Sequence, residues 1–322
     1  MIRLALCLFV CASFPSLADS LRLEGEAFKP SAKVVWAATN TIPPSLAVYR
    51  VVPRQFSNES ISNFLKIVSF KPATMKVSPD KQTMSWQGNS ENGTLVRSLD
   101  IMPSSGCINY FNTAVALDDP KHPVTGVPSY EEVETLAAHY LQLLGGDTNQ
   151  ISWKPQSRTE LNSTSYNRKP SNGGQIISQS VLKRGIMLCR QIDGVRFNSP
   201  CGRGGIFIGF GSHAAISDLQ LNWRNLQALH RFKTLSKESI IRQIKDGKSV
   251  IPDPENTDTS ALSLAKKFRI ISLVPRYWGE VGGAAQDDVY PFAEINIAAD
   301  VGTNTMNFTI NCQILLTDAV AP

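Results

Sequence analysis

The stretch from Ile206 to Arg224, IFIGFGSHAAISDLQLNWR, limits the possible folds more than any other part of the chain. Leu219, Leu221 and Trp223 alternate with Asp218, Gln220, Asn222 and Arg224, and a period of two is that of a strand with one buried and one wet face. Upstream, Ile206, Ile208 and Phe210 share a face, and Gly211 to Ala215 supply a reversal. Asp193-Gly194 is a two-residue hairpin signal, because both central positions of such a turn need positive φ. A four-strand meander over 186–192, 195–197, 206–210 and 216–223 is therefore expected.

Helices are expected beside this sheet. Ser129 and Glu132 form a capping box ahead of Val133, Leu136, Ala137, Tyr140, Leu141 and Leu144 at helical spacing, with Gly145-Gly146 as the stop. Two more are expected over 59–68, with Ile61, Phe64, Leu65 and Val68 inward, and over 237–246, capped by Ser236 with Ile240, Ile241 and Ile244 inward. Further β-branched and aromatic runs read as strands at 46–52, 83–86, 95–101, 107–111, 268–274, 292–298 and 306–310. One helix followed by a run of strands recurs three times. The expected fold is α+β, with tandem units of one helix on an antiparallel sheet, PepSY-like or cystatin-like and stapled by disulfides. Its boundaries are 1–18 for a signal peptide, then 19–126, 127–227 and 228–322. The polar stretches 147–179 and 249–259 read as loops.

The signal is expected because Met1-Ile2-Arg3 precedes an apolar run from Leu4 to Phe14 and then Ser16-Leu17-Ala18. Cys11 lacks the small residues that lipidation needs ahead of it. No later stretch reaches the roughly 18 apolar residues of a membrane-spanning helix, so a secreted or periplasmic protein without membrane insertion is expected. Loss of residues 1–18 removes Arg3 and no acid, lowering the formal charge from +5 to +4. The basic residues Arg231, Lys233, Lys237, Arg242, Lys245 and Lys248 are interrupted by Glu238 and Asp246 and lack interleaved aromatics, so no nucleic-acid surface is expected. The sequons at Asn58, Asn92, Asn162 and Asn307 matter only in a glycosylating host.

Export favours disulfides over metal thiolates for Cys107, Cys189, Cys201 and Cys312. A turn at Asp193-Gly194 sets residue 198 opposite Cys189, leaving Cys201 about 10 Å along the strand, beyond bridging range unless the chain bends back at Pro200. Of the other two arrangements, Cys107 with Cys189 and Cys201 with Cys312 is the expectation.

The segments RQIDGVRF, GGIFIGFGSHAAISDLQLNWRNL and SYEEVETLAAHYLQLLG resemble the PepSY and YycI-like secreted modules over about residues 128–226: a helix, a hairpin and a strand pair ending near Trp-Arg. Such modules occur in protease propeptides and extracytoplasmic regulators, so the resemblance implies an inhibitor or chaperone-type role. Cys201 and the CGRGG run depart from the usual short loop, and neither a protease domain nor an anchoring helix accompanies the module. The whole chain resembles uncharacterised exported proteins of environmental bacteria.

Catalytic signatures are sparse. Neither G-x-S-x-G nor H-E-x-x-H occurs. Ser263-Leu264-Ala265-Lys266 and Ser78-Pro79-Asp80-Lys81 both fit S-x-x-K without its companion motifs, and Asp246 to Ser249 lacks the upstream glycine of a phosphate loop, Arg242 standing there. His122, His139, His213 and His230 have no carboxylate at ligand spacing. No cofactor, metal or catalytic residue is assigned. The candidate binding positions lie in irregular loops, where recognition tends to reside: Trp278, Glu280, Asp287 and Asp288 in the 278–288 loop, and Arg203 in CGRGG. The expected function is that of an exported, non-catalytic binding or regulatory protein with an extracytoplasmic protein or cell-envelope ligand as partner. The alternative is a secreted hydrolase with its site in the 278–288 loop.

Overall fold

The computed structural model describes residues 23, 25–71, 74–79, 82–89, 95–117, 123–152, 162–170, 176–197, 205–255, 257, 262–279, 286–301 and 306–317. In chain order its regular elements are β1 (Glu26–Phe28), β2 (Lys33–Trp36), β3 (Ser45–Val52), α1 (Asn58–Ile67), β4 (Lys76–Val77), β5 (Met84–Asn89), β6 (Leu95–Met102), β7 (Cys107–Asn112), α2 (Tyr130–Leu143), β8 (Ile151–Ser152), β9 (Asn162–Pro170), β10 (Ile176–Ile192), β11 (Val195–Phe197), β12 (Gly205–Phe210), β13 (Ile216–Asn222), β14 (Asn225–Lys233), α3 (Lys237–Lys245), β15 (Ser249–Ile251), β16 (Lys267–Tyr277), β17 (Asp288–Val289), β18 (Pro291–Val301) and β19 (Met306–Leu315).

Each of the three α-helices among the described residues begins where a serine can cap it. The hydroxyls of Ser57, Ser129 and Ser236 accept from the backbone N–H three residues on, and Glu132 closes the capping box by accepting from Ser129 N at 2.7 Å. A serine cap contributes about 1 kcal/mol. Asp193 and Gly194 both take positive φ, and Gln191 faces Arg196 while Ile192 faces Val195. That is the tight hairpin that Asp-Gly favours.

The chain divides into two compact units, residues 42–231 with 274–294 and residues 1–41 with 232–273 and 295–322. In the first, the strand order is β11-β10-β12-β13-β7-β6-β5-β4, with β8 and β9 also on β10, and β14-β3-β17 form a separate small sheet. Phe64 and Leu65 of α1 and Val133, Ala137 and Leu141 of α2 are buried in one cluster with Trp86, Leu99, Ile101, Ile108, Tyr110, Ile186, Leu188, Ile206, Ile208, Leu219 and Leu221. Two helices thus cover one face of the sheet, and each fully buried aliphatic or aromatic side chain contributes roughly 1.5–3 kcal/mol. In the other unit, the order is β1-β15-β19-β18-β16, with β2 parallel to β16 from Lys33 opposite Lys267 to Trp36 opposite Ile270. Ile240 and Ile244 of α3 are buried there, as are Phe268, Ile270, Ile295, Ile297 and Ile314.

The expected tandem helix-on-sheet units do not form. Strand is the commonest structure among the described residues, the sheet pairing is mixed rather than purely antiparallel, and β13 pairs with β7 from Asp218 opposite Phe111 to Asn222 opposite Cys107. That ladder joins strands expected in two different units. Nor is the 186–223 segment a simple meander. β11 pairs with the end of β10, and β12 then pairs with β10 as well, from Arg184 opposite Phe210 to Cys189 opposite Gly205. The stretch 147–179, expected as a loop, contains β8, β9 and the start of β10, because backbone hydrogen bonds can hold a polar strand that carries no apolar periodicity.

The disulfide expectation fails for a measurable reason. No disulfide forms among the described residues. Cys107 on β7 and Cys189 on β10 are both buried but have β13 and β12 between them. Three strand spacings of about 4.8 Å separate them by about 14 Å, twice the bridging limit. Cys312 is likewise a buried residue, and Cys201 lies outside the described residues. Among the described residues no helix is long and apolar enough to cross a membrane.

Candidate functional site

The aligned register of six strands builds one continuous row in the first unit, polar at its first four positions. Ser85 faces Asp100, Asp100 faces Asn109, Asn109 faces Gln220, Gln220 faces Phe207, and Phe207 faces Met187. Every one of these residues alternates with core residues of its own strand, so the row lies on the face opposite α1 and α2. All six side chains are half-buried. Five strand spacings make the row roughly 24 Å long.

A second row runs beside it through Ser98, Phe111, Asp218, Gly209 and Gly185. A register shift between Gly209 and Phe210 leaves Ser217 as the extra residue of a bulge on β13, and bulges of this kind re-aim side chains. The Ser217 hydroxyl donates to Asp218 Oδ2 at 2.8 Å, and Lys183 Nζ lies 2.8 Å from the same oxygen. Asp100 Oδ1 accepts from Ser85 Oγ at 2.5 Å. The two glycines leave room for what stands over them. A Cβ on Gly209 would fall 3.1 Å from Asp218 Oδ2, and one on Gly185 would fall 2.9 Å from the Phe207 ring. Between the rows a cleft of about 290 Å³ is lined by Ser98, Asp100, Asn109, Phe111, Phe207 and Gln220 among others.

A larger open groove, about 600 Å³, runs between Gly126–Pro128 and the first turns of α2. Its wall includes Ala214, which with His213 takes positive φ; left-handed non-glycine residues cost of order 1–3 kcal/mol each. His213 N donates to Thr125 O at 2.8 Å and Ala214 N to Gly126 O at 3.2 Å, holding the reversal in place. Of the groove's two acids, Glu132 is committed to the capping box, and its bond to the Ser129 N–H holds its carboxyl below the usual range. The groove gathers fewer convergent polar groups than the sheet face, although binding sites depend on such groups for orientation.

The residues expected to bind lie elsewhere. Asp288 Oδ1 accepts from Arg50 Nε at 3.1 Å and Asp288 Oδ2 from the Tyr290 hydroxyl at 3.1 Å. Trp278 N donates to Tyr290 O, its ring meets Phe292 edge-on at 5.5 Å, and Gln286 Nε2 donates to the carbonyls of Trp278 and Asp288. Asp287 contributes its carbonyl, which accepts from Val51 N at 2.7 Å. Asp287 and Asp288 thus bind β17 to β3, while Trp278 packs against Tyr290 and Phe292. Glu280 and Arg203 lie outside the described residues.

The Trp-Arg at the end of β13 belongs to a buried structural centre. The Arg190 guanidinium lies 4.3 Å over the Trp223 ring, donates from Nη1 to Arg224 O at 2.6 Å and from Nε to Gln150 Oε1 at 2.9 Å. Burial, with repulsion from Arg54, lowers its pKa to about 9. Arg54, lowered by burial to about 10, donates to the Leu144 carbonyl at the end of α2 and to Trp223 O at 3.3 Å. A cation at a helix C-terminus is favoured by the aligned peptide dipoles.

Sequence reading missed Asp100, Asn109, Gln220, Phe111 and Phe207 as site residues. Their alternation with core positions is legible, but the pairing of β7 with β13 that sets them side by side is not. Among the described residues, no group of three or more His, Cys, Asp or Glu is arranged to hold a metal ion.

No family model and no curated protein matches the chain. Among solved structures, it is similar to an uncharacterized protein from Eubacterium rectale ATCC 33656, at 10% identity and a TM-score of 0.44, over 88% of this chain and 86% of that one.

Proposed function

We propose that the protein is an exported, non-catalytic binding protein that takes its ligand on the polar face of the β10-β12-β13-β7-β6-β5 sheet. One observation carries this reading: Asp100, Asn109, Gln220 and Phe207 lie in a single cross-strand row beside a 290 Å³ cleft, on the face that α1 and α2 leave open. The row sits on the central strands of a sheet whose opposite side is a packed core, and rigid elements hold recognition groups better than loops do. Both carboxylates are already oriented by neighbours, Asp100 by Ser85 and Asp218 by Ser217 and Lys183, which suits them to accept hydrogen bonds in fixed directions. The secretory pattern of residues 1–18 and the PepSY resemblance support an extracytoplasmic binding role.

The test is binding of purified residues 19–322 to cell-envelope material and to extracytoplasmic proteins, measured beside Asn109→Ala and Gln220→Ala. The expected result is a saturable interaction that each variant weakens at least tenfold at unchanged melting temperature. Variants that bind as the wild type does would remove this face as the site.

A further inference from the structure

We infer that the ligand of this face is a saccharide chain, an inference that rests on the binding reading above and names its ligand class. The groups on the face are those that polyhydroxylated rings match. Asn109 and Gln220 stand on adjacent strands as direct partners, and each amide both donates and accepts. Asp100 and Asp218 accept only. Vicinal hydroxyls, each a donor and an acceptor, satisfy such a mixed set, whereas a ligand with acceptors alone does not. Phe111 and Phe207, both half-buried, border the same cleft. Their rings give apolar surface to the C–H side of a sugar ring while the polar groups reach its rim.

The other ligand classes fit less well. Asp218 is offset by Lys183 at 2.8 Å, leaving Asp100 as the one carboxylate in the cleft without a cation among its described partners. A polyanion would meet repulsion rather than the basic surface it needs. Extended peptides are captured through main-chain hydrogen bonds at a sheet edge. Here the backbone groups of β6, β7, β13 and β12 are committed to ladders on both sides, so only side chains are offered. The cleft volume is at the lower end for small-molecule sites, which suits one ring at its centre, and the row continues across six strands, beyond a single ring. A chain of sugars uses both dimensions.

The experiment is co-sedimentation of the full chain from residue 19 with bacterial cell-envelope material in three forms: untreated, protease-digested, and periodate-oxidised to cleave vicinal diols. Wild type, Asn109→Ala, Gln220→Ala and Phe207→Leu are compared after confirming equal melting temperatures. The expected result is binding that survives protease, is lost on periodate oxidation and is at least tenfold weaker in each variant. Binding that survives periodate and is lost with protease, yet still requires Asn109 and Gln220, would overturn the saccharide class and leave the face as the site. Binding indifferent to all three substitutions, or no binding to any preparation, would overturn both.

Discussion

The Phe207 ring lies directly over Gly185 of the neighbouring strand, so close that a Cβ on Gly185 would come within 2.9 Å of ring atom Cζ and equally near the Ile208 carbonyl oxygen. An aromatic ring closing over a strand glycine is a recurrent way of covering the backbone that glycine exposes. Here it also fixes one apolar wall of the cleft. Gly185→Ala must move both the ring and the β12 backbone, at a cost of roughly 1–3 kcal/mol. Urea unfolding checks the stability loss. Binding to envelope material should fall along with it, whereas Phe207→Leu should weaken binding with a smaller loss of stability.

Arg54 holds the end of α2 through the Leu144 carbonyl and reaches Trp223 O. Arg54→Met keeps much of the side-chain volume and removes both donors, leaving buried carbonyls unsatisfied. A loss of about 3 kcal/mol is expected, read by urea denaturation. Ligand binding at saturating concentration should remain, since the guanidinium lies in the structural centre rather than on the polar face.

Burial pushes the Cys312 thiol up to about 12 from an ordinary value of 9.0. The folded protein therefore keeps this proton between pH 9 and 12 while the unfolded chain releases it. The resulting stabilisation is complete below about pH 9 and is lost as pH rises toward 12, by about 1.4 kcal/mol per pH unit. Cys312→Val has no such proton, so the stability difference between wild type and variant should narrow with that slope above pH 9. Guanidinium titrations at pH 8, 9.5 and 10.5 measure it; a pH-independent difference would show that the thiol does not contribute in this way.

Asp288→Asn weakens the bonds by which Arg50 and Tyr290 hold the start of β17 beside β3. The effect should be local, with faster amide exchange at Val51, whose N–H donates to Asp287 O, and unchanged binding at the polar face. If a hydrolase screen of the wild type finds activity, that activity should persist in Asp288→Asn; its loss would instead favour a catalytic site in the loop.

What could be read before folding is what neighbours in the chain decide. Ser57, Ser129 and Ser236 each cap a helix because a short hydroxyl reaches an N–H only three residues away. Asp193-Gly194 makes its hairpin because both residues tolerate positive φ. The inward positions of α1, α2 and α3 follow from helical spacing. The same local reading also found the alternation that puts Asp218 and Gln220 on one face and Leu219 and Leu221 on the other.

Those local features could not name the partner across each strand, and the candidate site depends on it. A strand presents two edges with the same hydrogen-bonding groups, and its choice of neighbour depends on long-range burial and loop closure. The sequence by itself thus determined the helices, their caps, the tight hairpin and the two-faced character of β13. Only the tertiary structure decided that β13 lies against β7, that two strands keep Cys107 and Cys189 about 14 Å apart, and that Asn109 and Gln220 stand side by side. Strand pairing brings distant segments into register, and that register sets which polar side chains can meet one ligand together.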